Sequence, residues 1–250
     1  MGTQELSGTT AVVTGASRGF GQAIATELAQ AGVRVVGLAR DAQRLGELQA
    51  KLGEAFVPVV ADAADPVAAG KLMDEYRPQT LVLNAGANPL ERPLQHHTWE
   101  TFSRNWEVDV AQVFHWVREA LLLPLAPGST VISFSSGAIL RGSPLSGGYA
   151  GAKSTVKFIS SYAKVESGMQ GLGIRFISLL PQLTAATDLG RDAANAYARQ
   201  AGLSIEAFLE RAGFHLTPEQ VGKSVLALAS DPALDSDAYV VSAAGFNPVG

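Results

Sequence analysis

Residues 9–21, "TTAVVTGASRGFG", join an apolar, β-branched segment to a glycine-rich turn, and the helical pattern "GQAIATELAQAG" (21–32) follows directly. Gly15, Gly19 and Gly21 would let backbone N–H groups approach a pyrophosphate, and the helix N-terminus would add a favourable dipole. The spacing Gly-x-x-x-Gly-x-Gly differs from the standard Gly-x-Gly-x-x-Gly, so a turn that serves only tight packing is the alternative. A strand before the turn and a helix after it favour a dinucleotide site.

Short apolar segments of the same kind recur along the chain. They are 33–39, 55–61, 80–86, 129–136, 174–180 and 238–244. Most are near-continuous hydrophobic runs, which are typical of strands buried on both faces of a parallel sheet. Helical patterns lie between them, such as 218–230, where Pro218 lies near N1 and Thr217 is a candidate N-cap. The alternation predicts one doubly wound α/β domain over residues 1–250.

One long segment interrupts this alternation. Residues 182–216 separate the sixth predicted strand from the last helix and contain two weak helical patterns, "GRDAANAYARQAG" and "SIEAFLERAG". Insertions of this length in a compact domain are usually functional. We therefore expect a substrate flap within the single domain.

The composition excludes several classes of protein. Hydrophobic residues make up 47% of the 250 residues and charged residues 17%, which indicates a large buried core. The net charge is −4 and no basic run is present, so we expect no nucleic-acid partner. The absence of cysteine excludes disulfides, thiolate metal ligands and a cysteine nucleophile. Because no apolar run is long enough to span a membrane and residues 1–15 lack a signal-peptide pattern, we expect a cytoplasmic protein with no membrane partner.

The end of the second predicted strand bears on the choice of cofactor. NAD sites normally place Asp or Glu there to bind the ribose 2′-hydroxyl, whereas Arg accommodates the 2′-phosphate of NADP. Here Ala39 and Arg40 end the strand, and Arg18 lies in the glycine-rich turn. Two guanidinium groups would make charge-assisted contacts with a 2′-phosphate, which predicts NADP(H). The alternatives are ordinary surface arginines, or Asp41 as the ribose ligand.

A tyrosine and a lysine stand four residues apart in "GGYAGAKSTVKF" (147–158). Taken alone, Tyr149 and Lys153 fit a lysine whose aliphatic stem lies over a ring on a helix surface. Four further features that follow the predicted strands change this interpretation. They are "TGASRGFG" (14–21), Asp62, "NAG" (84–86) and Ser136, which lies thirteen residues before Tyr149.

These motifs, in this order, resemble those of the short-chain dehydrogenase/reductase family over about residues 8–245. Leu83 replaces the first Asn of that family's Asn-Asn-Ala-Gly motif. The resemblance implies a Rossmann-like fold with a mostly parallel seven-stranded sheet in the order 3-2-1-4-5-6-7. It also implies a carbonyl reductase or alcohol dehydrogenase that exchanges hydride between NADP(H) and a ketone or secondary alcohol.

By this resemblance, Tyr149 would be the general acid in reduction and the base in oxidation. Lys153 would lower the pKa of the phenol and bind the nicotinamide ribose, and Ser136 would orient the substrate oxygen. The implied cofactor-binding residues are Gly15, Ser17, Arg18, Gly19, Phe20, Gly21, Arg40, Asp62, Ala63, Asn84, Ala85, Gly86, Tyr149, Lys153, Pro181, Leu183, Thr184 and Thr187. The expected substrate-binding residues are Ser136, Ile139, Leu145, Tyr149 and Leu189. No metal site is expected, and the neighbouring His96 and His97 are interpreted as loop surface.

Two positions depart from the family pattern. Asp109, in "VDVAQVF" (108–114), takes the place of an Asn that is usually a fourth catalytic residue. We expect Asp109 either to pair with Lys153 through water or to stay protonated with a raised pKa, so that a proton relay survives with an altered pH dependence. The alternative is a packing residue with no relay role. Gln182 replaces a Gly, and it excludes the backbone conformations that favour glycine.

Members of the family usually form homodimers or homotetramers through the helices near 98–123 and 149–171, and we expect one of these assemblies here. Two other functions use the same scaffold. One is an NADP-binding sensor without turnover, and the other is a non-redox lyase or epimerase. An intact set of Ser136, Tyr149 and Lys153 argues against the sensor, because a sensor has no need of an activated phenol.

Overall fold

The computed structural model describes residues 4–213 and 215–249. Eight strands form one sheet in the order β3-β2-β1-β4-β5-β6-β7-β8. Their bounds are Thr10–Thr14 (β1), Arg34–Ala39 (β2), Phe56–Val60 (β3), Thr80–Leu83 (β4), Thr130–Phe134 (β5), Arg175–Pro181 (β6), Ala238–Ser242 (β7) and Gly245–Pro248 (β8). Strands β1 to β7 are parallel and coincide with the seven predicted segments, which confirms the doubly wound class.

The prediction of seven strands was wrong by one. Strand β8 runs antiparallel to β7, with Ser242 opposite Gly245. The sequence of β8, Gly-Phe-Asn-Pro, is mostly exposed and contains three residue types that are rare in strands, so no apolar run marks it. The ring of Phe246 packs edge-on against Tyr239, with 5.6 Å between the centroids. This hairpin covers the edge of the sheet that β7 would otherwise leave open.

Helices cover both faces of the sheet. Their bounds are Gly19–Gln30 (α1), Ala42–Leu52 (α2), Pro66–Tyr76 (α3), Trp99–Asn105 (α4), Ala111–Leu122 (α5), Ala138–Arg141 (α6), Tyr149–Met169 (α7), Asp188–Ala201 (α8), Ile205–Ala212 (α9) and Pro218–Ser230 (α10). Ile24 and Val225 belong to the core that α1, α2 and α10 form with one face. Trp116 and Val156 belong to the core that α3, α5 and α7 form with the other. Among the described residues, no helix combines the length and apolar character that a membrane span requires.

Two helix starts test the sequence signals. Helix α10 begins as predicted: Pro218 lies in its first turn, and Thr217 and Gln220 form a reciprocal capping box. Helix α1 begins at Gly19, two residues before the predicted start, so the glycine-rich turn is itself partly helical. The first backbone N–H groups of α1, which have no partner within the helix, therefore lie just beyond the carboxyl end of β1.

The segment 182–216 contains α8 and α9, which agree with the two weak helical patterns. Each helix starts at a hydroxyl cap, because Thr187 accepts from the Gly190 amide and Ser204 from the Ala207 amide. Both helices end at glycines in the left-handed region.

The backbone between α4 and α5 forms a π-helical turn over Trp106–Val110. Such turns add one residue to a helix and often occur at functional sites. In this protein the turn contains Asp109, whose side chain is completely buried.

Candidate active site

A cleft of about 1250 Å³ lies at the carboxyl ends of the parallel strands. Its centre is the gap between β1 and β4, where the strand order reverses. Ligands of doubly wound sheets bind at such a point. All but three of the predicted site residues line the cleft, and the three outside its lining are Gly21, Ile139 and Leu145.

The glycine-rich turn brings the backbone close to the neighbouring strand end. Gly15 has a φ of +70°, and a Cβ on it would lie 2.9 Å from the Ala85 Cα. A Cβ on Gly21 would collide with the Gly15 carbonyl, so Gly21 serves close packing of α1 rather than the cleft surface. Gly19, at φ +55°, lines the cleft itself. This backbone and the start of α1 form a cradle that fits a pyrophosphate.

A threonine at the end of β1 holds the next loop in place. The Thr14 hydroxyl oxygen accepts from the Asn84 amide (2.9 Å) and the Ala85 amide (3.1 Å) and donates to Gln112 Oε1 (2.7 Å). The Asn84 side chain returns a bond to the Thr14 carbonyl at 3.2 Å. These contacts fix the "NAG" loop beside the glycine-rich turn, although Thr14 and Gln112 were not predicted as positioning residues.

The two arginines that were predicted to face a 2′-phosphate line one end of the cleft. Arg18 Nη1 lies 2.7 Å from Asp188 Oδ2, and Arg40 Nη1 lies 3.7 Å from Asp62 Oδ2. Asp41, the alternative ribose ligand, caps α2 by accepting from the Arg44 amide at 3.0 Å. Each guanidinium group that was predicted to face the 2′-phosphate therefore already has a carboxylate partner.

Tyr149 is the first residue of α7, and Lys153 lies one turn later. The Lys153 Nζ is 5.6 Å from the centre of the Tyr149 ring and donates to the Phe134 carbonyl at 3.0 Å. Lys153 is buried, so it is not a lysine that reaches past a ring to solvent. Ser136 follows β5 and lines the same cleft as Tyr149, and its hydroxyl acts to lower the pKa of the phenol.

Asp109 pairs directly with Lys153, at 3.1 Å between Oδ2 and Nζ, and the two side chains are 0% and 6% exposed. Its other oxygen accepts from the Ala87 amide at 2.8 Å, and the Asn105 amide group lies 3.4 Å from Oδ2. The expected water bridge is therefore replaced by a direct contact. Asp109 belongs to the π-helical turn, so the local backbone of this turn sets the position of the carboxylate relative to Lys153.

Burial raises the pKa of the Tyr149 phenol, and it outweighs Lys153 and the Ser136 hydrogen bond, which both lower the pKa. Asp109 and Glu91 raise it further. For Lys153, burial opposes the charge, but the Asp109 carboxylate and Tyr149 together raise the pKa of the ammonium. Lys153 lowers the pKa of the phenol, which is the direction predicted for it, but the sum of all effects in the protein without cofactor raises that pKa.

Among the residues that were predicted to bind substrate, Ser136, Tyr149 and Leu189 line the cleft, whereas Ile139 and Leu145 lie outside its lining. Leu140 and Arg141 from the same loop also line it. The segment 182–216 adds two aromatic residues that were not predicted from the sequence.

Those residues are Tyr197 and Phe208, whose rings are stacked with 6.3 Å between centroids. The Tyr197 hydroxyl hydrogen-bonds the Ser143 hydroxyl, which connects α8 to the loop before Tyr149. No motif predicts this contact, because it joins residues far apart in the chain.

A partly buried carboxyl was also missed by the sequence analysis. The Oε2 atom of Glu91 is buried and has no hydrogen-bond partner among the described residues. Burial, and then the charge of Asp192, raise the pKa of Glu91 to about 7. Its charge in turn raises the pKa of Tyr149, as the smallest of the named causes.

The segment after β6 keeps an ordinary backbone. Gln182 has no positive φ, and its N–H donates to the Val241 carbonyl at 2.9 Å, so the position does not need glycine in this protein. Thr184 donates to the Leu216 carbonyl and accepts from the Ala186 amide, while Thr187 caps α8. Both threonines line the cleft.

The histidines next to the cleft hold no metal-ligating arrangement. In the described part of the chain, no group of three or more His, Cys, Asp or Glu side chains is placed to bind a metal ion. His96 is exposed, but His97 is partly buried, with its ring nitrogens 3.2 Å from the Thr101 hydroxyl and 3.3 Å from the Arg92 carbonyl. His97 is thus a structural residue of this loop rather than plain loop surface.

Comparison with known proteins agrees with this geometry. The family model described as short chain dehydrogenase matches residues 9–198. The chain is 36% identical over 174 residues to the "Uncharacterized short-chain type dehydrogenase/reductase y4eK" of Sinorhizobium fredii, covering 68% of each chain. It is 33% identical over 184 residues to a serine 3-dehydrogenase of Rhizobium radiobacter (69% of this chain, 70% of the relative). It is 29% identical over 188 residues to an NADP-dependent (R)-specific alcohol dehydrogenase of Lentilactobacillus kefiri (72% and 74%). With its fold, its cleft and these relatives, the chain belongs to the short-chain dehydrogenase/reductase family and is an oxidoreductase.

Proposed function

We propose that this protein is an NADP(H)-dependent oxidoreductase that interconverts a ketone and a secondary alcohol. The observation that carries the proposal is the phenol of Tyr149 with a buried ammonium 5.6 Å from its ring, inside a cleft that a glycine-rich turn borders. An acid–base group and a dinucleotide cradle in one cleft are what carbonyl reduction requires.

The cofactor preference rests on charge. Arg18 and Arg40 both line the cleft end beside the glycine-rich turn, where a 2′-phosphate would add two negative charges. The relative from Lentilactobacillus kefiri is named as NADP-dependent, which supports the same preference. When bound, the nicotinamide supplies or accepts the hydride.

The residues of the chain handle the proton. In reduction, the Tyr149 hydroxyl donates its proton to the substrate oxygen while the Ser136 hydroxyl holds that oxygen by a second hydrogen bond. Lys153 stabilises the phenolate that remains and would hold the nicotinamide ribose of a bound cofactor. Asp109 acts through Lys153 as a positioning residue, because its carboxylate holds the ammonium at 3.1 Å. Oxidation uses the same groups in reverse.

The substrate side of the cleft is bordered by the flap 182–216, which we infer to cover the substrate. Leu140, Leu189 and Phe208 line it, so a ketone with an apolar body fits best. On α7 the side chains of Phe158, Val165 and Met169 are exposed, which supports assembly into a homodimer or homotetramer.

The test is Tyr149→Phe, with Tyr162→Phe as the matched control, because Tyr162 lies exposed on the same helix. Purified proteins are assayed with NADPH and a panel of ketones by nicotinamide absorbance. We expect kcat to fall about 1000-fold in Tyr149→Phe and to stay unchanged in the control. NADPH binding should persist in both variants.

Undiminished turnover in Tyr149→Phe would show that the phenol is not the acid. If the wild-type protein binds NADPH and reduces nothing on a broad panel, the sensor function replaces this proposal.

A further inference from the structure

The flap contacts the glycine-rich turn through an ion pair. Asp188 is the first residue of α8, and its Oδ2 lies 2.7 Å from Arg18 Nη1, 170 positions earlier in the chain. The neighbouring Thr187 lies against the same turn, since a Cβ on Gly19 would be 3.3 Å from the Thr187 Cγ2. One of the two arginines that the proposed function assigns to the 2′-phosphate is thus already engaged by a carboxylate of the flap.

We propose that Asp188 tunes the selectivity between NADP(H) and NAD(H) from the flap. Its carboxylate neutralises Arg18 and competes with the 2′-phosphate for the same guanidinium. A bound 2′-phosphate draws Arg18 away and thereby loosens the first turn of α8. This inference rests on the proposed use of Arg18 in cofactor binding, and it adds a residue that lies outside the cofactor-binding motifs.

The charges at this end of the cleft support the competition. Three arginines face it, and each is paired with an aspartate: Arg18 with Asp188, Arg40 with Asp62 at 3.7 Å and Arg44 with Asp41 at 3.4 Å. All six residues line the cleft. Because each guanidinium group is already paired, a 2′-phosphate must compete with a carboxylate for the arginine that binds it.

Of these three pairs, the one formed by Asp188 is the shortest, and its carboxylate belongs to the flap. Asp41 and Asp62 have local structural bonds as well, since they accept from the Arg44 amide and the Ala64 amide. Among the described residues, the side chain of Asp188 bonds to Arg18. Asp188 is therefore the carboxylate that can leave with the least structural change.

The size of the effect follows from exposure. The side chains of Arg18 and Asp188 are 52% and 55% exposed, so water screens their attraction. Pairs of this kind change an equilibrium constant by at most about fivefold. Coupling between two binding events is reciprocal. If the Arg18–Asp188 contact weakens binding of the 2′-phosphate by some factor, a bound 2′-phosphate must weaken the Arg18–Asp188 contact by the same factor.

The test measures dissociation constants of NADPH and NADH by nicotinamide fluorescence, with no turnover involved. Asp188→Asn keeps the size of the side chain and removes its charge. We expect it to strengthen NADPH binding about three- to fivefold and to leave NADH binding within about twofold. In an Arg18→Ala background, Asp188→Asn should have no effect on NADPH.

Asp192→Asn is the matched control. It removes one exposed charge from the same helix, and the side-chain partner of Asp192 is Asn88 rather than an arginine. If this control raised NADPH affinity equally, the effect would come from the net charge of the protein, and the inference would be overturned. Unchanged or weaker NADPH binding in Asp188→Asn would also overturn it.

A second readout follows the flap itself. Hydrogen exchange of the backbone amides at the start of α8 should be about three- to fivefold faster with NADP⁺ than with NAD⁺ bound, and the difference should vanish in Asp188→Asn. Equal exchange with both cofactors would contradict the release of the flap. If wild-type protein binds neither cofactor, the proposed function fails, whereas normal NADPH binding without a response to Asp188→Asn defeats this inference alone.

Discussion

The cleft carries ion pairs at both of its ends, and they differ in their contact with water. At the end that contains Tyr149, the side chains of Lys153 and Asp109 are 6% and 0% exposed. At the end that contains the arginines, the side chains of Arg40 and Asp62 are 75% and 50% exposed. The same type of interaction is shielded from water in one place and exposed to water in the other, and the surrounding dielectric decides what it costs to separate the charges.

The two ends also differ in how their charges are held. Asp109 accepts from a backbone amide and from Lys153 while the lysine donates to the Phe134 carbonyl, so each charged group has several partners. The outer arginines project from turns and meet a single carboxylate each. The first arrangement suits the proton transfer that we propose, and the second suits the proposed exchange of a carboxylate for a phosphate.

Breaking the buried Asp109–Lys153 pair, called the inner pair below, should have the largest effect on stability. Asp109→Ala leaves the Lys153 ammonium buried without a counter-charge, so we expect the free energy of unfolding to fall by about 3–5 kcal/mol. Urea denaturation followed by circular dichroism measures the change. Asp62→Ala, at the outer end, is the matched control and should lower the free energy of unfolding by less than about 1 kcal/mol. Similar losses in the two variants would show that burial does not separate the two ends.

Asp109→Asn keeps the shape and removes the charge of the inner pair. We expect a smaller loss of stability, about 2 kcal/mol, because the amide oxygen can still accept from the Ala87 amide. The Asp109 carboxylate raises the pKa of Tyr149, so its removal lowers that pKa. Because alcohol oxidation needs the phenolate, the rise of kcat/KM with pH should move to lower pH in the variant. An unchanged pH profile would remove Asp109 from any role in proton transfer.

Glu91 provides an intermediate case between the two ends, since it is partly buried and forms no salt bridge with any residue that the structure describes. Its pKa is raised to about 7, above the value of about 4.3 in an unfolded chain. The unfolded chain therefore releases this proton first, and stability is lost as the pH rises from about 4.5 to 7. Glu91→Gln should stabilise the protein by about 1 kcal/mol at about pH 8, after allowance for partial exposure, and have little effect near pH 4.5.

Denaturation curves at the two pH values give this difference. A stabilisation of the same size at both would mean that Glu91 does not titrate as a buried carboxyl.

The sequence predicted the repeated structure well because its signals are local. The seven parallel strands are apolar runs, and α10 has a capping box and a proline within four residues of its start. Strand β8 was missed because its residues have low strand propensity, and it is extended only because it pairs with β7. Gly21 lies outside the cleft lining although it belongs to the motif, because it packs against the Gly15 carbonyl.

The sequence by itself determined which residues are the candidates for the chemistry: the glycine-rich turn, Tyr149 and Lys153 belong to motifs of fixed spacing, and spacing is a property of the chain. Only the tertiary structure decided how their charges are balanced. The direct bond from Asp109 to Lys153, the Arg18–Asp188 pair and the buried Glu91 each join distant segments or depend on burial. Coulomb interactions and desolvation depend on separation in space and on access of water, and neither quantity is encoded in the order of residues.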